Sequence, residues 1–443
     1  MVQSATSPDR FPTLGPVPMT VDFLGGQLTS DGGLLWVAEA DQALALTTQL
    51  AAAMPDRRRH RRHALPALLA QRIYQIACGY SDQNDATTLR TDPVLKQVCG
   101  RLPIGGKALA SQPTFSRLEN GVGARGCYRL ASALGEVYLQ QREQHGIPER
   151  IVLDLDGTDD PTHGAQEGTA YHGFYAQYMY HPLLIFDGET GHLMTAVLRP
   201  GTVHASHGVV AVLKRVVGRI RERWPGVTIE LRADSGFAIP ALYAWCEAEG
   251  ITYTIGLGSN ARLREAVHPL QRDAEAQSAR QEGAKVRLLD DTSYQAGSWP
   301  SPRRVVMKAE VLAKGTNTRF VVTNRTDPPQ SCYDWYVGRG ATENWIKDLK
   351  LGCFADRLSC HRFWANQMRL LLHAAAYWLL DTVRRWLQQA NVAPMTLETV
   401  RLKLLKIGGW VRERRDSVHL RLASSHPSEA WWQALAVLRH KSL

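Results

Sequence analysis

The octapeptide RIVLDLDG, residues 150–157, constrains the fold more than any other stretch of this chain. Its residues alternate, with Ile151, Leu153 and Leu155 on one side and Val152, Asp154 and Asp156 on the other, the period of a β-strand. Two carboxylates therefore project from one strand face. A competing reading is a simple turn at a strand end, because Asp156-Gly157-Thr158-Asp159-Asp160 is rich in turn formers. Two more strand-like stretches follow, YMYHPLLIFDG and HLMTAVLRPG, joined by a turn that contains glycine. A helix from about residue 207 to 224 then aligns Leu213, Val216, Val217 and Ile220, and the strand VTIELR delivers Asp234 at its C-terminal end. The helix IPALYAWCEAEG and the strand ITYTIGL complete the run.

Three strands, a helix, a strand, a helix and a strand is the order of a ribonuclease H-like domain. The fold class expected is therefore α/β (α+β), with a ribonuclease H-like catalytic core. In such a domain an acid on the first strand meets one after the fourth. Asp156 and Asp234 occupy those places, and Asp154 is the rival of Asp156 because both point the same way.

A third acid lies in YVGRGATENWIKDLK, residues 336–350. At about 100° per residue, Tyr336, Arg339, Glu343 and Lys350 share a helical stripe roughly 60° wide. Lys347 falls beside them. Trp335, Thr342, Trp345, Ile346 and Leu349 gather on an adjoining side, where a helix docks onto a core. A solvated face is the bland reading of these charges. A carboxylate among three phosphate-seeking groups instead suits a metal ion working on a nucleic-acid backbone.

The chain has 443 residues, 44% of them apolar, enough for a large core. Lys and Arg exceed Asp and Glu by 52 − 42 = 10, and the isoelectric point near 9.3 favours a polyanionic partner. Seven scattered cysteines without a CxxC pair indicate neither a disulfide framework nor a zinc site. No apolar run approaches the roughly 20 residues that span a bilayer, and no signal-peptide core is present, so a cytoplasmic protein is expected. GxSxG, Walker A and HExxH motifs are absent.

Residues 1–145 are expected to form a helical DNA-binding region. Within it, Arg57, Arg58, Arg59, Arg61 and Arg62 place five arginines in a seven-residue run suited to phosphate. A short helix after Ser111 and Gln112 carries Thr114, Ser116 and Arg117 near its start, as a recognition helix would; a purely packing bundle is the alternative. The core spans 146–258 and 331–395. Between Asp234 and Glu343 lie 343 − 234 = 109 positions, too many for a bare connection, and 259–330 reads as a β-rich insertion. Trp299, in GSWPSPRR, is the candidate for stacking on a base, against the reading of a Trp packed under a loop by Pro300 and Pro302. A basic tail occupies 396–443.

The spacing of Tyr336, Arg339, Glu343 and Lys350 resembles the YREK signature of the insertion sequence 4 group of bacterial DDE transposases. The phrases DGTDDPTHGAQEG, LRPGTVHASHG and RADSGF look most like the insertion sequence 1380 family. The resemblance implies that Asp156, Asp234 and Glu343 are catalytic and hold two magnesium ions, with manganese as a substitute. It implies that Tyr336, Arg339 and Lys350 hold phosphates, and that the β-rich insertion helps to flip a base. The implied function is cut-and-paste transposition: binding of terminal inverted repeats, cleavage of the element ends and joining of the 3′-hydroxyls to target DNA. A homodimer on double-stranded DNA and a nucleoid-associated location in a bacterial cytoplasm go with it. A metal-dependent nuclease without strand transfer, or a DNA-binding protein that has lost catalysis, are the alternatives.

Overall fold

The computed structural model describes residues 9–11, 16–54, 56, 58, 61–144 and 146–441. Two compact units emerge. One comprises residues 1–42, 59–115 and 379–443; the other comprises 43–58 and 116–378.

The second unit is built on an eight-stranded sheet. In chain order its strands are β1 (Arg150–Gly157), β2 (Leu183–Asp187), β3 (Leu193–Val197), β4 (Thr228–Ala233), β5 (Thr252–Leu257), β6 (Val286–Tyr294), β7 (Arg303–Leu312) and β8 (Gly315–Thr323). Across the sheet the order is β6-β7-β8-β5-β4-β1-β2-β3. Strands β1, β4 and β5 run parallel, and on the far side of β1 lie β2, antiparallel to β1, and β3, antiparallel to β2. That is the ribonuclease H-like order expected from the sequence. The stretch expected as an insertion supplies β6, β7 and β8, which extend the sheet beyond β5 through antiparallel pairing. They cover an edge whose backbone groups would otherwise be unpaired.

Parallel strands need crossover helices. Here α2 (Val209–Arg223) precedes β4, and α3 (Pro240–Ala248) links β4 to β5. Helix α1 (Ala124–Glu143) comes before the sheet, α4 (Ala261–Arg280) follows β5, and α5 (Pro329–Val337), α6 (Gly340–Lys347) and α7 (Phe363–Gln389) come after it. Central strand β1 is buried on both faces, with Ile151, Val152, Leu153, Asp154 and Leu155 all at 0% exposure. A carboxylate in that position must find a partner, because burying it alone costs far more than the fold can supply.

Strand β3 lies at a sheet edge, and side chains from α7 satisfy it. Gln367 accepts from Leu198 N–H and donates to Ala196 C=O, while Trp378 Nε1 donates to Leu193 C=O. These bonds occupy the backbone groups through which a foreign strand would add.

The first unit contains the helices Leu65–Ala77, Asp85–Leu89 and Pro93–Val98. The C-terminal stretch belongs with them. Gly409–Glu413 pairs with Val418–Leu422 on one side and with Leu28–Thr29 on the other. Lys406 bonds Asp31 at 2.7 Å, and Tyr80 donates to the same carboxylate at 2.8 Å. Among the described residues no helix is long and apolar enough to cross a membrane.

Candidate active site

Asp156 and Asp234 come together through strand register. In the parallel β1–β4 pair, Arg232 lies opposite Asp154 and Ala233 opposite Leu155. One step further places Asp234 opposite Asp156, with the two backbones about 5 Å apart. Asp234 leaves the strand as the N-cap of a short 3₁₀ turn, its Oδ1 accepting from Gly236 N–H at 2.9 Å. Asp156 accepts at Oδ2 from Arg339 Nη1 at 2.9 Å. Burial, opposed by Arg339 and helped by neighbouring Asp234, leaves the Asp156 carboxyl raised to about 6. Burial also works against the Arg339 cation, but Asp156, Tyr336 and Asp234 outweigh it and hold that group above its ordinary value.

Asp154 has a different role from its rival. It is fully buried and takes two bonds from Arg232, Nε to Oδ1 at 2.6 Å and Nη2 to Oδ2 at 2.7 Å, with the Thr342 hydroxyl donating at 3.2 Å. Burial pushes its carboxyl up, and Arg232 and Thr342 pull the other way. With both oxygens engaged, Asp154 serves the fold, and Asp156 is the one that reaches the strand end. The signal was present in the sequence: Arg232 stands two before Asp234 as Asp154 stands two before Asp156, so both pairs share a face.

The stretch 336–350 is not one straight helix. Helix α5 stops at Val337 and α6 begins at Gly340. In an unbroken helix Arg339 N–H would bond Trp335 C=O; here it bonds Tyr336 C=O at 3.1 Å, and Trp335 C=O instead accepts from Arg232 Nη1 at 3.0 Å. A buried guanidinium has taken the helix's own acceptor, and the next turn tightens. Gly338 makes room: a Cβ there would stand 2.5 Å from Arg232 Nη1. Trp335 meanwhile packs against three guanidiniums, those of Arg150, Arg232 and Arg325, at 4.8, 4.8 and 5.2 Å. After Lys347 the chain continues into a π-helical turn, Asp348–Gly352. From it Lys350 Nζ donates to Asp159 C=O at 2.8 Å and to its Oδ1 at 2.9 Å.

Tyr336 approaches from α5. A Cβ on Gly256 would lie 2.7 Å from the Tyr336 hydroxyl and 3.0 Å from Ser235 N. Only hydrogen fits between the phenol and the Asp234 turn. Gly256→Ala is expected to destabilise the fold by about 1–3 kcal/mol through overpacking, measured by chemical denaturation. Adding Tyr336→Phe, which removes the clashing oxygen, should recover part of the loss; no recovery would place the strain elsewhere.

The remaining expected residues are less gathered. Glu343 stands one turn after Arg339, on the same face of α6; it is exposed and takes no hydrogen bond among the described residues. Lys347 is also exposed. Among the described residues no group of three His, Cys, Asp or Glu side chains is close enough to hold a metal ion. Thus Asp156, Asp234, Arg339 and Tyr336 form the assembled part, and Glu343 stands at its margin.

Trp299 corrects an expectation. It is 6% exposed, edge-on to Tyr243 and Tyr294 with centroids at 5.3 and 5.5 Å, and the Arg303 guanidinium lies over it at 5.5 Å. Its ring is core, packed on the neighbours that its apolar area demands, and offers no face to a base. In the arginine run, Arg58 is tied to Asp56 by two bonds of 2.8 Å, and Arg61 and Arg62 are exposed. Arg57 and Arg59 lie outside the described residues. Helix Gln112–Asn120 forms as expected, with Arg117 exposed and Phe115 and Leu118 buried.

Two adjacent carboxylates, with an arginine, a phenol and a lysine near by, suit a hard cation and phosphate oxygens. A family model described as transposase DDE domain, group 1, matches residues 11–442. A comparison with curated proteins found no match. Among solved structures, a piggyBac transposase synaptic complex with hairpin DNA is similar over 85% of this chain and 79% of that chain, at 10% identity and a TM-score of 0.44. Because the family model takes in nearly the whole sequence, the strand-end acids included, the chain belongs to the transposase DDE domain group 1 family.

Proposed function

We propose that this protein is a cut-and-paste DNA transposase of the insertion sequence 4 group, with the features of the insertion sequence 1380 family. It binds the terminal inverted repeats of its element, cleaves the end phosphodiesters and joins the 3′-hydroxyls to target DNA. The observation that carries the reading is the meeting of Asp156 and Asp234 at adjacent strand ends, with Arg339 bonded to Asp156 at 2.9 Å.

These residues fit a divalent cation. Carboxylate oxygens are the donors that magnesium prefers, and a cation between Asp156 and Asp234 would relieve the mutual repulsion that helps to raise Asp156. Glu343, on the face of α6 that carries Arg339, is the third donor in this proposal. Magnesium, when bound, lowers the pKa of an attacking water or 3′-hydroxyl and stabilises the leaving oxygen. The chain's own groups do the rest. Arg339 can fork onto a phosphate oxygen, Tyr336 donates its hydroxyl, and Lys350 holds the loop after β1 through Asp159 while presenting a positive charge. The excess of ten basic over acidic residues suits a long polyanion. Two copies acting together would hold the two ends.

The test is a plasmid carrying the element with its flanking ends. With magnesium, excision and joining to a second DNA are expected. Cleavage without joining would favour a nuclease of the same fold. Binding of the ends with no cleavage in magnesium or manganese would overturn the enzymatic reading in favour of a DNA-binding protein.

A further inference from the structure

Between β1 and β2 the chain folds a separate small sheet from Asp160–Pro161, Ala170–His172 and Gln177–Tyr180, with the last strand in the middle. The hairpin formed by the second and third strands pairs Tyr171 with Tyr178 and His172 with Gln177. Its reverse turn carries Phe174, and Ala176 closes it at φ 52°. Three large aromatics are left in solvent: Phe174 is 86% exposed, Tyr178 61% and Tyr171 57%. Exposed aromatic area of this size normally finds a partner.

The other side of the hairpin is anchored at the acid site. Tyr175 and His172 pack against His181 with centroids at 5.9 and 5.2 Å. The His181 ring in turn lies against Gly157, the residue after Asp156, where a Cβ would stand 2.8 Å from Nε2. Gln177 Nε2 donates to Asp159 Oδ2 at 2.8 Å, and Asp159 holds Lys350. The hairpin is thus fastened to the loop after β1, whose Asp159 holds Lys350. Tyr171 and Tyr178 meet edge-on at 5.7 Å, and Phe174 meets Tyr175 at 5.0 Å, so the rings hold one another in place.

The chemistry of the face selects its partner. Residues 170–180, AYHGFYAQYMY, contain no charged side chain, so nothing on the hairpin repels a polyanion. Through Gln177 and Asp159 it is linked to the Lys350 cation. Aromatic rings beside phosphate-binding cations suit nucleobases, whose faces stack on them whatever the sequence. A paired duplex hides those faces; an unpaired strand offers them.

We propose that Tyr171, Phe174 and Tyr178 form a stacking platform for unpaired bases of a DNA strand entering the site. The proposal rests on the function proposed above, and names the part of the DNA that this hairpin takes. The platform takes over the part that the sequence had suggested for Trp299.

The test uses the full-length protein in chelator, so that no cleavage intervenes, titrated with a fluorescein-labelled twelve-residue oligothymidylate and with a blunt duplex. Phe174→Ala and Tyr178→Ala are expected to weaken oligothymidylate binding by about tenfold each, with duplex affinity little changed, and Phe174→Trp should retain binding. Unchanged oligothymidylate affinity in both alanine variants would overturn the platform. So would a change in sedimentation with DNA affinity intact, which would make the face a contact between copies. Platform and function fail separately: aromatic-dependent binding by a protein that never cleaves would sink the transposase mechanism and leave the platform standing.

Discussion

Asp156→Asn, Asp234→Asn and Glu343→Gln proteins are each expected to lose DNA cleavage by about 10³-fold or more, since each would remove a cation ligand that stabilises several kcal/mol of transition-state charge. Binding of the element ends should stay close to wild type, because the acids contribute no attraction to phosphate. Folding should also survive. Asn in place of Asp156 keeps the shape and still offers an oxygen to Arg339 Nη1, and burial already disfavours the charge that is lost. Glu343 is exposed and bonded to nothing among the described residues, so Gln there costs the fold almost nothing. The measurement is the rate of end cleavage in magnesium beside end affinity in chelator. If Glu343→Gln cleaves as fast as wild type, the third acid is not Glu343, and its place at the margin of the site is its real one. If all three lose end binding, the acids are structural.

Much of the core was legible because it rests on local periodicity. Alternation in RIVLDLDG and the helical spacing after it gave strands and helices in an order that few folds accept. Asp156 and Asp234 follow from that order, because parallel strands in register bring equivalent ends together. The fixed spacing of Tyr336, Arg339, Glu343 and Lys350 was legible for the same reason. What it could not reveal was the break at Gly338. That break is caused by Arg232, more than a hundred positions away, competing for Trp335 C=O. A 3.6-residue period knows nothing of an acceptor taken by a distant side chain.

Trp299 stayed open in the sequence for the same reason. Aromatic residues near prolines read equally as base-stackers or as core, and only the positions of Tyr243, Tyr294 and Arg303 decide between them. The exposed aromatics of the β1–β2 hairpin carry no signal in the sequence, because AYHGFYAQYMY has no motif, only composition. The tail beyond residue 396 shows only its basic character in the sequence. It pairs with residues 28–29 of its own chain, a register that no local pattern encodes.

Asp154→Ala is expected to cost about 3–5 kcal/mol of stability, because it strips a buried guanidinium of both its charged bonds. Its neighbour two positions on, Asp156, should show nothing comparable when replaced by Asn, and this contrast separates the structural acid from the chemical one. The double variant Asp154→Leu with Arg232→Met removes both charges, and much of the lost stability should return, since matched apolar groups avoid the desolvation cost of the pair. Activity should not return with it. Without Arg232, the Trp335 carbonyl is free to accept from Arg339 N–H, and the tight turn at Gly338–Arg339 loses its cause. As the helix relaxes towards regular winding, Tyr336 and Arg339 turn relative to Asp156, and Arg339 leaves the position from which it bonds that acid. A double variant that melts near wild type yet cleaves poorly, with all three acids present, would show that the buried pair sets the angle of the phosphate-binding helix. Full recovery of both would mean that the pair only fills the core.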